Sequence, residues 1–301
     1  MNTTNVTDAT AISQSQLYFD WTDWISMSFT LLSFSLNAIV AALFTIYRRL
    51  RTPFTVYFLA LTFGNAVYCF PVWADILCFH WADFCKDRVL CAVHVYDGWV
   101  ISAVALHIHV LISVNRVWAL YFPISYRRHH TVKTACWIIL TVIVYVHLMC
   151  LPGVILDAVY NNMPSKLCRL DRSMLRAWVK VVMIVVYDLP VLLMIGCYVS
   201  ILIGQHKRLR IVHSLGSSFP GRHSGFAVLT TLTTSVVFCW TPYNLLDTLD
   251  AYFTVSMPDE VRNATFVLYV LQSMMDPLLI VASVSDLRST VFNLLRCKTI
   301  R

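Results

Sequence analysis

The sequence predicts an all-α membrane protein: a seven-transmembrane helix bundle with a short C-terminal amphipathic helix. Three observations carry this reading. Of 301 residues, 58% are hydrophobic and 13% charged, against about 25% charged and about 45–50% apolar in soluble domains. The apolar residues gather into seven runs, each long enough for the ~20 residues that a bilayer-spanning helix needs. The basic residues behind the net charge of +7 lie in the breaks between those runs, where membrane proteins keep them. They form no contiguous basic stretch, so no nucleic-acid partner is expected.

Residues 1–23 are polar and acidic, with neither the basic start nor the apolar core of a cleaved leader. The first span itself is therefore expected to direct insertion. The spans are predicted at roughly 24–47, 55–79, 89–120, 133–155, 175–204, 224–253 and 263–284, so that 24–285 is the bundle. Several are longer than the minimum and are expected to tilt or to project beyond the hydrocarbon. Across roughly 286–297, Leu287, Val291, Leu294 and Leu295 recur at helical spacing among Arg288 and Arg296. That is the pattern of a helix lying in the membrane interface; residues 286–301 thus form an amphipathic helix and a short cytoplasmic tail, with membrane lipid as a partner.

Charge in the connections orients the bundle. One set of breaks holds Arg48, Arg49 and Arg51, then Arg127, Arg128 and Lys133, then Lys207, Arg208, Arg210 and Arg222, and finally Arg288, Arg296, Lys298 and Arg301. That side is expected to be cytoplasmic. The other side holds Asp8, Asp20, Asp23, Asp83, Asp87, Asp171, Asp259 and Glu260. The three glycosylation sequons, at Asn2, Asn5 and Asn263, all fall on this acidic side. The expectation is a multi-pass plasma-membrane glycoprotein with its N-terminus extracellular. Of the ten cysteines, Cys78, Cys85, Cys91 and Cys168 lie in or near outer loops. Whether Cys78 and Cys85 pair or stay as separate thiols is left open, because connectivity does not follow from sequence.

The helix ends carry the chemistry. The third span closes with Asn115, Arg116 and Val117, and Pro123 follows Arg116 by seven residues. Cys91 precedes Arg116 by 25 residues. The sixth span reads Cys239-Trp240-Thr241-Pro242-Tyr243, the fifth has Pro190 eight residues before Tyr198, and the seventh contains Asp276-Pro277. Asn37 and Asn65 stand in the first and second spans. Taken alone, prolines in apolar helices bend them and free backbone carbonyls, as they also do in transporters and channels. Arg116 alone is compatible with snorkelling to headgroups. Asn37, Asn65 and Asp276 are costly in hydrocarbon and should face the bundle interior.

Together, and in this order, these motifs resemble the rhodopsin-like (class A) G-protein-coupled receptors, from Asp23 to Cys297, with muscarinic-like echoes and an exchange also found in gonadotropin-releasing-hormone-type receptors. The resemblance implies a disulfide between Cys91 and Cys168. It implies an activation switch comprising Asn115, Arg116, Tyr198, Pro242, Asn65, Asp276 and Pro277, with Asn37, Asn65 and Asp276 at the family's sodium and water-network positions. It implies an extracellular ligand and a heterotrimeric G protein as partners, and receptor rather than enzyme activity. Cys297 is a candidate lipidation site, with a free thiol as the alternative.

Several residues depart from the family pattern. Asn115 replaces the acid before the helix-three Arg, and Ile280 replaces the helix-seven Tyr. The carboxylate has moved from the second span (Asn65) to the seventh (Asp276), which alters the usual ion geometry; no cofactor and no metal are expected. On the sixth span, Trp240, Tyr243, Asn244, Asp247 and Ala251 share one helical face. With Asp97, and with Asp75 and Asp250 nearby, they suggest an acidic, aromatic pocket for a cationic ligand. Asp97 stands one residue off the aminergic position, which Gly98 occupies, so a peptide or other basic ligand is favoured and a neuropeptide receptor is expected. No Lys occurs between Lys207 and Lys298, which excludes retinal attachment. His107 and His109 are two residues apart, do not share a helical face, and read as interior histidines. A ligand-binding receptor that does not couple, and a transporter or channel, are the alternative functions.

Overall fold

A computed structural model of the chain describes residues 20–80, 88–160, 170, 175–214, 223–253 and 257–296. Among them the secondary structure is entirely helical. The helices are α1 (Trp21–Ile46), α2 (Thr55–His80), α3 (Arg88–Tyr121), α4 (Pro123–His129), α5 (Val132–Tyr160), α6 (Arg176–Val182), α7 (Leu189–Ser214), α8 (His223–Phe253), α9 (Asp259–Ser283) and α10 (Ser285–Leu295). A π turn, Met183–Asp188, joins α6 to α7, so that these three make one continuous fifth span. Among the described residues, six of the spans are apolar and long enough to cross a membrane. The sixth span, α8, is 31 residues long and completes the seven.

Local chemistry explains several boundaries. Asp20 caps α1 by accepting from the Trp21 N–H, while Asp23 accepts from the Asp20 N–H, a reciprocal box that satisfies first-turn donors. From Thr22 to Asn37 the buried face of α1 is the polar one: Thr22, Ser26, Thr30, Ser33 and Asn37 point inward while Leu31 and Leu32 are exposed, before Val40, Leu43 and Phe44 take over that face. This inversion suits a helix whose outer solvent is lipid. Thr30 satisfies its own hydroxyl by donating to the Ser26 carbonyl at 2.7 Å, leaving a small surface that neighbours can approach closely.

The bundle closes as a ring. α1 packs on α2 and α9, α2 on α3, α3 on α5 and α7, and α8 on α9 and α7. Pro71, Pro152, Pro242 and Pro277 lie inside their helices. Pro190 is the second residue of α7, and the π turn lies directly before it. A proline cannot donate to the preceding turn, and Leu189, just before it, bonds five residues back to the Ile184 carbonyl. α5 and α6 meet at Gly153, where a Cβ would stand 2.4 Å from carbons of the Trp178 indole. Only a residue without a side chain admits that ring.

The predicted spans agree with the helices to within about four residues, except that the helix of the fourth span runs five residues further, to Tyr160, and that of the fifth ten further, to Ser214. Two short elements were not anticipated: α4 and a 3₁₀ turn at Arg48–Leu50, both at the end of the bundle that carries the basic loops. α10 begins directly after α9, with Leu287 and Thr290 fully buried and Leu295 exposed.

Candidate functional site

The centre of the bundle is organised around Asp276, which is 0% exposed. Its Oδ2 accepts from Asn65 Nδ2 at 2.8 Å and from His109 Nε2 at 3.1 Å, and its Oδ1 accepts from Gln272 Nε2 at 2.6 Å. Three donors around one carboxylate are what the interior demands, because a buried charge without partners is far costlier than a paired one. A second polar knot lies beside it. Asn37 Nδ2 donates to the Ser33 and Ser273 carbonyls at 2.9 Å, and Ser33 Oγ donates to Ser273 Oγ at 3.0 Å. Spans one, two, three and seven are thus tied at mid-depth by hydrogen bonds. A cavity of about 10 Å³, the room of one water molecule, is lined by Asn65, His109, Trp240, Tyr269, Gln272 and Asp276.

At the basic end, Arg116 lays its guanidinium over the Phe54 ring, with Cζ 3.4 Å from the ring centroid, a cation–π contact. Its Nε is buried without a hydrogen-bond partner. It lines a crevice of about 210 Å³ with Phe54, Thr55, Phe58, Leu232 and Ser283. The neighbouring Asn115 is tied elsewhere: its Nδ2 donates to His130 Nε2 at 2.7 Å and its Oδ1 accepts from the Tyr126 hydroxyl at 3.0 Å. His130 stacks on Tyr126 at 4.5 Å and lies parallel to the Tyr57 ring at 5.9 Å. Burial pushes the His130 imidazole below its ordinary pKa, which suits a ring that accepts the Asn115 N–H as a neutral base.

At the opposite end, Trp240, Tyr243, Phe266 and Tyr269 form an aromatic cluster, with Trp240 4.9 Å and Tyr243 5.1 Å from Tyr269, centroid to centroid. Asn244 is buried, and its amide Nδ2 has no hydrogen-bond partner. Asp247 Oδ1 lies 3.9 Å from Arg262 Nη1 on α9. Deeper on α3, the Tyr187 hydroxyl donates to the Trp99 carbonyl at 2.7 Å.

The profile of the 7 transmembrane receptor (rhodopsin family) matches residues 36–279, most of the bundle. The chain belongs to that family. No curated protein matches it. The receptor is accordingly a multi-pass membrane protein of a signalling family, and Asn65 of span two and Asp276 of span seven form a direct hydrogen-bonded pair within it.

The receptor's other expected residues are distributed unevenly. Trp240, Tyr243, Asn244 and Asp247 do line one side of α8, but Asp247 has an internal cation, Arg262, near it. Asp97 is half-buried on α3. Tyr198 lies on α7, two turns beyond Pro190. Cys91 is buried and disulfide-bonded, whereas its expected partner Cys168 lies outside the described residues. So do Cys85, Arg222, Asn2, Asn5 and Cys297, as do the side chains of Asp75 and Cys78. Asn263 stands in the second turn of α9 rather than in a loop.

Sequence reasoning missed four residues that touch the expected site residues. His109, read as an ordinary interior histidine, is the α3 donor to Asp276. Gln272, one turn before Asp276, was overlooked, as were Phe54 under Arg116 and His130 beside Asn115. Two signals pointed to the first pair: His109 is two helical turns before Arg116 on the same face, and Gln272 precedes Asp276 by four residues.

Proposed function

We propose that the receptor binds an extracellular basic ligand, a peptide being favoured, and passes the signal to a heterotrimeric G protein. The observation that carries coupling is Arg116. Among the described residues it makes no salt bridge; its guanidinium rests on Phe54 beside an open crevice. A cation held by an aromatic face alone is available to a partner's acceptors. Pro242 stands between Trp240 and Tyr243, inside the aromatic cluster, and cannot donate to the preceding turn of α8, which makes this helix the moving part. A ligand shifts such an equilibrium only by its differential affinity for the two states.

The orphaned Asn244 amide and the Asp247 carboxylate, next to Tyr243, support a polar ligand that brings both an acceptor and a cation. Arg262 would be displaced from Asp247 as the ligand's own cation enters. The charge distribution and the sequons support an extracellular N-terminus with glycans at Asn2, Asn5 and Asn263. A Cys91–Cys168 bridge fits the bonded state of Cys91. The apolar side of α10 supports interfacial placement, with Cys297 as a lipid anchor at its end. No cofactor and no metal enter this reading.

A second reading, a receptor that binds but does not couple, is favoured by Asn115 and by Ile280, which is fully buried and brings no hydroxyl toward Tyr198. A screen of basic peptides and amines with a promiscuous G protein decides between the two. Nucleotide exchange that Arg116→Ala removes supports coupling. Saturable binding with no exchange at any ligand supports the second reading.

A further inference from the structure

We propose that His109 is a positioning residue of the receptor: its imidazole N–H ties the Asp276 carboxylate of α9 to α3 and thereby sets which arrangement of the two helices the bundle prefers. The three donors on Asp276 tie it to different bodies. Gln272 lies on α9 itself, four residues before Asp276, so its bond travels with α9 and resists no movement of that helix. Asn65 reaches across from α2, and His109 reaches across from α3. Among the described residues, His109's bond is the one that joins the carboxylate to the helix carrying Arg116.

The geometry favours transmission along α3. His109 and Arg116 are seven residues apart, which is about 10.5 Å of rise and within ~20° of two full turns. They project from one face of a helix with no proline between them. The joint also borders the cavity shared with Trp240 and Tyr269, so it stands between the aromatic cluster and Arg116. Because Nε2 faces a carboxylate oxygen, that nitrogen carries the proton, and the bond is charge-assisted. Any arrangement in which α9 leaves α3 must break it, and one such bond biases a two-state equilibrium by about tenfold to a hundredfold.

His107 supplies an internal contrast. Its Nδ1 bonds the Ala103 carbonyl at 2.8 Å within its own helix, and its ring packs edge-on against Tyr145 of α5 at 5.6 Å. It fills space on the other side of α3 and links no moving parts.

The test uses the full chain in nanodiscs, with spin labels on Ile124→Cys and Phe292→Cys, both exposed, in a Cys136→Ser, Cys297→Ser background. Distance distributions then report α9–α10 against the α3–α4 corner without ligand or G protein. His109→Leu is expected to raise the minor distance population about tenfold or more. His109→Gln, which restores an N–H donor, should return it to within threefold of the parent, and His107→Leu should leave it unchanged. Nitrogen NMR of histidine-labelled receptor should show a hydrogen-bonded Nε2–H whose resonance Asp276→Asn shifts, by removing the charge assistance, for His109 alone. Equal distributions in His109→Leu and the parent, or no rescue by His109→Gln, overturn the proposal. If His109→Leu does not fold, the His109→Gln distribution and the NMR signal decide: an unchanged Nε2 resonance in Asp276→Asn overturns it. None of these readouts needs coupling, so failure of the proposed function and failure of this inference are told apart.

Discussion

Asp276→Asn keeps the shape of the side chain and removes its charge, so its effect can be counted donor by donor. An amide has one oxygen. Placed at the Oδ2 position, it still accepts from Asn65 and His109, now without charge assistance. Its NH₂ then faces Gln272 Nε2, and Gln272 relieves the clash by turning over, since its Oε1 has no partner to lose. Two charge-assisted bonds of about 1.5–3 kcal/mol fall to about 0.5–1.5 kcal/mol each. The loss is roughly 2–3 kcal/mol, or about 30- to 150-fold in any equilibrium that depends on the joint. Basal and ligand-driven nucleotide exchange, normalised to surface expression, should disappear. Adding Asn65→Asp returns a carboxylate to the pair from the α2 side, where the amide at position 276 can donate to it, and exchange should recover. Both variants are measured in the same membranes, with thermal unfolding alongside. Equal exchange by the single and double variants would refute the view that the pair works by holding one carboxylate between α2 and α9.

Three further outcomes are expected. Gly153→Ala should lower thermal stability by about 1–3 kcal/mol, the usual cost of overpacking, because its methyl meets an indole that bonds Met149 O at 3.1 Å and packs on Trp99; an unchanged melting temperature would contradict that contact. His130 has a folded pKa below its ordinary value through burial. The unfolded chain therefore takes up a proton before the native state does, and stability should fall as pH drops below ~6.5; His130→Phe should flatten that slope in melts from pH 5 to 8. Replacing sodium by choline should leave the melting temperature of the parent unchanged. The Asp276 oxygens are already occupied by N–H donors from Asn65, His109 and Gln272; a sodium-dependent shift of several degrees would mean that those donors yield to a cation.

The architecture was legible because lipid is an undemanding solvent: long apolar runs and the charges between them suffice to place seven helices. The Asn65–Asp276 pair was legible for a related reason, since two polar groups in hydrocarbon must find one another. His109 was not. In a helix whose lipid-facing and core-facing residues are both apolar, no hydrophobic stripe tells which way a side chain points. Its partner was decided by how the ring of helices sets α3 across from α9, 167 residues apart in sequence. Phe54 under Arg116 and His130 beside Asn115 escaped for the same reason, both being set by how short turns fold back on the bundle. The π turn had no signature in Met183–Asp188 beyond the proline that follows.

That turn has a consequence for any comparison made by counting. A π turn holds an extra residue within one circuit of the helix, so the fifth span has two origins. Distances in residues measured backward from Pro190 hold only as far as Leu189. Beyond Met183 they point about 100° to one side of the true direction. Equivalences drawn from Pro190 to Trp178 or Lys180 by position alone would name the wrong neighbours; those residues are to be matched from Gly153 and Tyr252, the groups they touch.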